Sequence, residues 1–472
     1  MKLIRWIQLC IVLSMLWMVL SLTFLSAVIQ PDNRGKHPDI QLFLMASSQD
    51  ALLAEDALRQ ISSQWHNAYA GIILDVARLM RRATSQSFRF SKLIEFLEQE
   101  TGQQFGSDFS QWQEWIWDQP YDPHPDYELF KGLWYRQIDP RFAEFFPDDV
   151  VSLIRLDEIE WGGVVVNGIP PLSYPVPLEA VSADYLADDH IVFGLAINGQ
   201  FRAYPKRILA WHELVLDRLG DVELTIVYCT LCGTVIPFES VVNGRHLKFG
   251  TSGLLYRSNK LMFDIETRSL WNTFTGMPVV GLLAEKGLKL TPHAVVTTTW
   301  GEWRRQHPST SVLSLDTGYQ RDYSEGSAYQ DYFSTDDLMF QVSMTDDRLA
   351  KKEEVLVLQL ADVMRIGRDK GLAITARFLK ENRVFHYTFF DRNMVIVTSE
   401  HGANRVYDAQ DIRFVKHIDS ERVVDDFGRE WRITEAWLVL DGDSSMRRIR
   451  LPAQRAFWFG WYAQFPDTEL IY

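Results

Sequence analysis

Residues 224–239 read LTIVYCTLCGTVIPFE, and the class of the fold turns on how they are parsed. The run Leu224-Thr225-Ile226-Val227-Tyr228 is rich in β-branched and aromatic side chains, and Thr234, Val235, Ile236 and Phe238 resume that composition after Cys229-Thr230-Leu231-Cys232-Gly233. A redox Cys-x-x-Cys pair of the thioredoxin type opens a helix, whose dipole stabilises the thiolate. Here strand formers follow Cys232, so the stretch predicts strand, cysteine turn and strand, with a Cys229 thiol that lacks a depressed pKa. Such a turn aims both sulfurs one way, and Gly233 takes a backbone conformation that a side chain resists.

Working outward, residues 191–196 and 201–204 flank Asn198-Gly199 as a hairpin, 207–218 predict a short helix, and 235–242 and 246–249 flank Asn243-Gly244 as a second hairpin. Farther along, residues 394–408 repeat the order of apolar strand, small-residue turn and aromatic-acidic exit, which sets Ser399, Glu400 and His401 near the cysteine positions. Two readings stand: a degenerate internal repeat, or unrelated strands that share a period.

Before residue 148 the texture is helical. Leu58, Ile61, Trp65, Tyr69, Ile72, Val76 and Leu79 form one stripe over 58–79. A second helix runs through Leu93, Ile94 and Leu97 to Gly102, and a third carries Trp112, Trp115 and Ile116. Large apolar side chains at this spacing are core rather than a cofactor box. The expected fold class is α+β: a transmembrane helix within residues 1–30, a small helical domain over 45–147, and a strand-rich α+β domain over 148–345 and 346–472, whose two parts are related halves if the repeat is real.

The chain has three cysteines, and Cys10 lies in the apolar N-terminal stretch, which leaves Cys229 and Cys232. A lone Cys-x-x-Cys pair calls for a local disulfide or a metal. The preferred metal set is Cys229, Cys232 and His212, with Glu213 supporting it, because Trp211-His212-Glu213 precedes the strand that delivers Cys229. Two sulfurs with imidazole suit Zn²⁺ or Cu⁺. Thiol–disulfide redox is the first alternative. The second is an envelope ligand-binding module stapled by a disulfide, its pocket built from Ser252, Tyr256, Arg257, Asn259 and Asp264, with Arg257 for an anionic ligand. No nucleophile elbow, phosphate loop or dinucleotide fingerprint occurs in the sequence.

Residues 6–28 are uncharged and number 23, enough at about 1.5 Å per residue to cross the roughly 30 Å apolar core of a bilayer. Lys2 and Arg5 precede them, so the positive-inside rule keeps that end in the cytoplasm and expects a single-pass protein of the inner membrane with its body outside. The formal charge of −14 repels a phosphate backbone, so nucleic acid is not an expected partner.

Phe201-Arg202-Ala203-Tyr204-Pro205, Trp211-His212-Glu213, Tyr228 to Thr234, Phe249-Gly250-Thr251-Ser252-Gly253-Leu254, Ser269-Leu270-Trp271, Trp300-Gly301-Glu302-Trp303, Ala456-Phe457-Trp458-Phe459 and Phe465-Pro466-Asp467-Thr468 are successive blocks of one pattern. In these blocks the sequence resembles the bacterial domain of unknown function 3179 family, over roughly residues 155–472. The resemblance implies no reaction. Two positions depart from the pattern: Thr230 stands where the family often has Pro, and Leu216-Asp217 where it has Asn-Asp, so no role for that Asn carries over.

Overall fold

The computed structural model describes residues 37–83, 88–148, 150–361 and 369–472. Two compact units divide the chain, the boundary falling between Glu158 and Ile159. Among the described residues no helix is long and apolar enough to cross a membrane, and the anchor read at residues 6–28 lies outside them.

The first unit is helical, with Ala51–Ser62, Ala70–Ala83, Phe88–Thr101, Phe109–Asp118 and Tyr127–Tyr135 as its longer elements. Asp50 and Asp108 cap two of them by accepting backbone N–H groups of the first turn. The stripe expected as one helix over 58–79 is two helical segments, because the chain leaves the first after Ser62 and His66 Nδ1 accepts the Ala68 N–H to start the turn Asn67–Tyr69. A side-chain acceptor at that point offers the backbone an alternative to the helical ladder.

The second unit is α+β and strand-rich. Its cysteine stretch is a hairpin as expected: Val222–Cys229 pairs antiparallel with Thr234–Glu239, Cys229 opposite Thr234, and Gly233 closes the turn at φ +61°. The helix expected over 207–218 is a correction. It spans Lys206–His212 only, since Glu213 turns left-handed at φ +56°, and Leu214–Leu219 is a strand on Val222–Cys229. The β-branched and leucine residues after Glu213 pack on the sheet, and Gly220-Asp221 makes the hairpin turn.

One order of elements occurs twice in this unit. Strands Ile191–Ile197 and Gln200–Pro205, helix Lys206–His212, and strands Leu214–Leu219, Val222–Cys229 and Thr234–Glu239 form the first run. Strands Glu354–Ala361 and Asp369–Thr375, helix Ala376–Glu381, and strands Val384–Phe389, Arg392–Thr398 and Asn404–Asp408 form the second. Each run ends its first sheet with a later strand–helix–strand: Val295–Thr299, Trp300–Gln306 and Ser311–Leu313 in one, Gln454–Phe457, Trp458–Gln464 and Glu469–Ile471 in the other. In both, the strand before the helix pairs antiparallel and the strand after it pairs parallel.

The correspondence reaches single hydrogen bonds. Tyr228 N–H donates to the Glu213 carbonyl at 2.9 Å and Thr398 N–H to the Arg383 carbonyl at 2.8 Å. Trp303 Nε1 donates to Thr310 Oγ1 and Trp461 Nε1 to Thr468 Oγ1, both at 2.9 Å. Each turn is also packed by the other run's late helix. Gly460 lies against Cys232, and Glu302, at the matching position of its helix, accepts a hydrogen bond from Ser399 Oγ at 3.0 Å.

Candidate thiol site

Three elements bring the reactive groups together. The strand Val222–Cys229 ends on Cys229, the left-handed turn after Lys206–His212 presents Glu213, and Lys260 is the second residue of the strand Asn259–Asp264. The facing strand, Phe249–Tyr256, loses register with its partner between Thr251 and Leu255. Ser252 Oγ satisfies that irregularity by donating to the Leu261 carbonyl at 2.6 Å and accepting the Leu254 N–H at 3.0 Å. The bulge leaves room, and a cavity of about 130 Å³ lies there, with Glu213, Cys229, Thr230, Ser252, Lys260 and Tyr329 among its walls.

Both cysteines are free thiols and both are buried. They are not equivalent. Cys229 faces the cavity, whereas Cys232 is not among its lining residues. Cys232 sits 3.6 Å from the Ser258 carbonyl and 3.9 Å from Asn259 Oδ1. On its other side a side chain at Gly460 would come to 3.0 Å from the Cys232 Cβ and 3.2 Å from its sulfur, so anything larger than glycine would crowd the thiol.

Burial pushes the Cys229 thiol up, but hydrogen bonds from the Cys232 thiol and from the backbone of Lys260 and Cys232 outweigh it and bring it below the ordinary cysteine value. Cys232 moves well above that value, through burial first and then through the thiol it shares with Cys229. The direction at Cys229 is opposite to the one expected from the absence of a helix, and its sources are the neighbouring thiol and backbone groups of the turn and of the strand Asn259–Asp264.

Lys260 Nζ donates to the Glu213 carbonyl at 2.8 Å and stands 3.5 Å from Glu213 Oε2. Burial lowers the Lys260 pKa, with Glu213 and Cys229 opposing the shift. Tyr329 Oη donates to Glu213 Oε1 at 3.4 Å, and burial, then Glu213, raises that phenol well above its ordinary value. The Thr230 hydroxyl is buried and makes no hydrogen bond among the described residues.

His212, expected as the third metal ligand, is not brought to the thiols. Its Nδ1 is 2.8 Å from the Pro170 carbonyl and its Nε2 is 2.5 Å from the Tyr323 hydroxyl, so both ring nitrogens are engaged. Among the described residues no group of three or more His, Cys, Asp or Glu is placed to hold a metal ion. Glu213, expected to support that ligand, instead lines the cavity itself.

Of the expected ligand pocket, Ser252 reaches the cavity and the other four serve the hairpin. Arg257 lies in the tight turn at φ +49°, stacks on Tyr256, and donates to the Ala463 carbonyl at 2.7 Å. Asp264 accepts from Thr267 and from Trp271 Nε1, and Asn259 accepts from Thr273 Oγ1 at 2.8 Å. Lys260 and Tyr329 were not among the residues expected at a site, and Thr230 was noted only as a departure from the family pattern. Lys260 sits inside the polar run 251–271 and was open to discovery there, whereas Tyr329 comes from an irregular segment with no periodicity to flag it.

No curated protein and no solved structure matches this chain. A family model does match, over residues 166–468, which include Glu213, Cys229, Thr230, Cys232, Lys260 and Tyr329, and the chain belongs to the family described as protein of unknown function (DUF3179).

Proposed function

We propose that the cavity is the working site of a two-thiol redox centre, in which Cys229 attacks an oxidant and Cys232 resolves the product, so that the pair cycles between dithiol and disulfide. The observation that carries this reading is the geometry of the pair: two free thiols share one tight turn, and Cys229 lines the cavity whereas Cys232 is packed behind it against Ser258 and Gly460. An attacking thiol needs access and thiolate character, and a resolving thiol needs proximity. The Zn²⁺ or Cu⁺ reading lacks its third ligand once His212 is tied to Pro170 and Tyr323.

The matching runs support reading the strand-rich unit as two related halves, of which only the first carries thiols. Residues 6–28 support an anchor with the body outside the cytoplasm. On that reading a C-terminal phosphatase fusion is active and a cytoplasm-only reporter silent.

Alkylation of the reduced, metal-free chain with iodoacetamide across pH tests the centre. Cys229 is expected to be modified before Cys232, with a midpoint below the free-cysteine value of about 8.5. First modification at Cys232, or one bound metal ion lost on His212→Ala, would overturn the reading.

A further inference from the structure

The cavity narrows what Cys229 can attack. A cavity of about 130 Å³ has room for a small molecule beside Cys229. Its walls are largely carbon, from Val164, Ile169, Leu254, Leu261, Met339 and Phe340, and Glu213, Thr230, Ser252 and Lys260 line it beside Cys229. Two of these are donors the fold has positioned: the Thr230 hydroxyl, which is 1% exposed and without a partner among the described residues, and the Lys260 amine. A buried hydroxyl left without a partner costs free energy that a bound ligand recovers.

We propose that this cavity takes a small hydroperoxide, hydrogen peroxide or a short-chain ROOH, oriented by the Thr230 hydroxyl and cleaved by Cys229 with Lys260 as proton carrier. The proposal rests on the two-thiol reading above. Lys260 takes the proton of the Cys229 thiol. The thiolate attacks the terminal peroxide oxygen, so that an S–O bond forms and the O–O bond breaks. The departing RO⁻ takes the proton from Lys260 and leaves as ROH, and Cys229, oxidised by two electrons, is a sulfenic acid. The Cys232 sulfur then attacks Cys229: the S–S bond forms, the S–O bond breaks, and hydroxide leaves as water with the Cys232 proton. Two equivalents of an external thiol return the disulfide to dithiol and become a disulfide themselves.

The short-chain R group lies along the carbon walls, and Glu213 keeps the amine in place through its carbonyl and carboxylate. Lowered basicity in a buried lysine suits a group that both takes and gives a proton.

The test uses the full chain in detergent, reduced and desalted, with disulfide formation between Cys229 and Cys232 followed by mass after rapid mixing. Hydrogen peroxide and ethyl hydroperoxide are expected to oxidise the pair on the order of 10²-fold faster than free cysteine at the same thiolate fraction. Thr230→Val is expected to slow the peroxide step about tenfold, as loss of one hydrogen bond worth about 1.4 kcal/mol in the transition state would. Its iodoacetamide alkylation at Cys229 should be unchanged, and Thr230→Ser should retain the peroxide rate. If hydroxyethyl disulfide or diamide closes the disulfide while peroxides react no faster than free cysteine, the hydroperoxide proposal is wrong and the two-thiol reading stands. If no oxidant closes it, both fall.

Discussion

Cys229 ends its strand where Ser399 follows the strand Arg392–Thr398, and the two turns are held by matching backbone bonds yet sealed by different side chains. In the second run Ser399 Oγ accepts the Ala403 N–H at 3.0 Å and donates to Glu302, which closes the turn with no sulfur. In the first, Gly460 occupies the position of Glu302, and the space holds the Cys232 sulfur. A hairpin that closes with serine and glycine does not need two cysteines to close. The thiols of the first run are surplus to the architecture, which argues for chemistry at that turn and against a simple staple.

The largest expected difference between the runs is in reactivity. Cys229→Ser should abolish disulfide formation, and in Cys232→Ser the Cys229 sulfenic acid left by peroxide should condense with an external thiol, releasing water, to a stable mixed disulfide, because the resolving sulfur is gone. Ser399→Ala should leave both reactions at the wild-type rate. A reactivity loss in Ser399→Ala equal to that of Cys229→Ser would mean the two turns act as one site.

Next in size comes the shared framework. Trp303 and Trp461 are both fully buried and both donate to a threonine seven residues on. Trp303→Ala and Trp461→Ala should each cost about 3–5 kcal/mol by denaturant unfolding, the usual price for emptying an aromatic core site. Similar costs would support two equivalent runs. A cost under about 1 kcal/mol at one of them would break the equivalence, since no fully packed tryptophan is removed so cheaply.

The same comparison shows what the sequence could disclose. Strand, cysteine turn and strand were legible at 224–239 because β-branched runs and one glycine specify them locally, and the echo at 394–408 was legible for the same reason. The helix at 207–218 was overextended because Leu214-Val215-Leu216 fits either period, and the left-handed Glu213 that ends it leaves no mark in a single sequence. His212 was read as a ligand on adjacency, but neighbours in a helix-to-strand turn point in different directions, and here Glu213 lines the cavity while His212 Nδ1 lies against the Pro170 carbonyl. What lowers the Cys229 thiol is first the Cys232 thiol in the same turn and then the Lys260 backbone from a strand distant in sequence, and no local pattern reports the second.

A smaller effect is expected from the polar seal of the second turn. Glu302 Oε1 has no hydrogen-bond partner among the described residues, and Ser399 satisfies Oε2. Ser399→Ala should therefore cost about 1–3 kcal/mol, the desolvation penalty of a buried group that loses its partner. Combining it with Glu302→Leu should recover most of that loss, and a double-mutant cycle with no coupling would show that the hydrogen bond does not seal the turn. On the other side, Gly460→Ala should cost about 1–3 kcal/mol by crowding Cys232.

The smallest expected effect is pH-dependent, and it separates the runs by one histidine each. His212 in the first run corresponds to Asn382, and His386 in the second to Leu216. The Pro170 carbonyl can only accept, so His212 Nδ1 carries its proton and Nε2 accepts from Tyr323. His386 Nε2 accepts the Phe414 N–H at 2.9 Å. Burial lowers both pKa values, aided by Arg321 at His212 and by Arg413 at His386, while the Pro170 carbonyl at His212 and the Phe414 carbonyl, 3.1 Å from His386 Nε2, oppose the shift. In the unfolded chain each takes a proton near 6.5, so below that pH the unfolded state binds more protons than the folded one. The stability these neutral rings contribute is complete above about 6.5 and falls as pH drops toward the lower folded values, by at most about 1.4 kcal/mol per pH unit for each ring. Urea midpoints at pH 7.5 and 5.5 should differ in the wild type, and His212→Gln and His386→Gln should each remove part of that difference. A pH dependence left intact in both variants would place it on other groups and show that neither run depends on a neutral histidine.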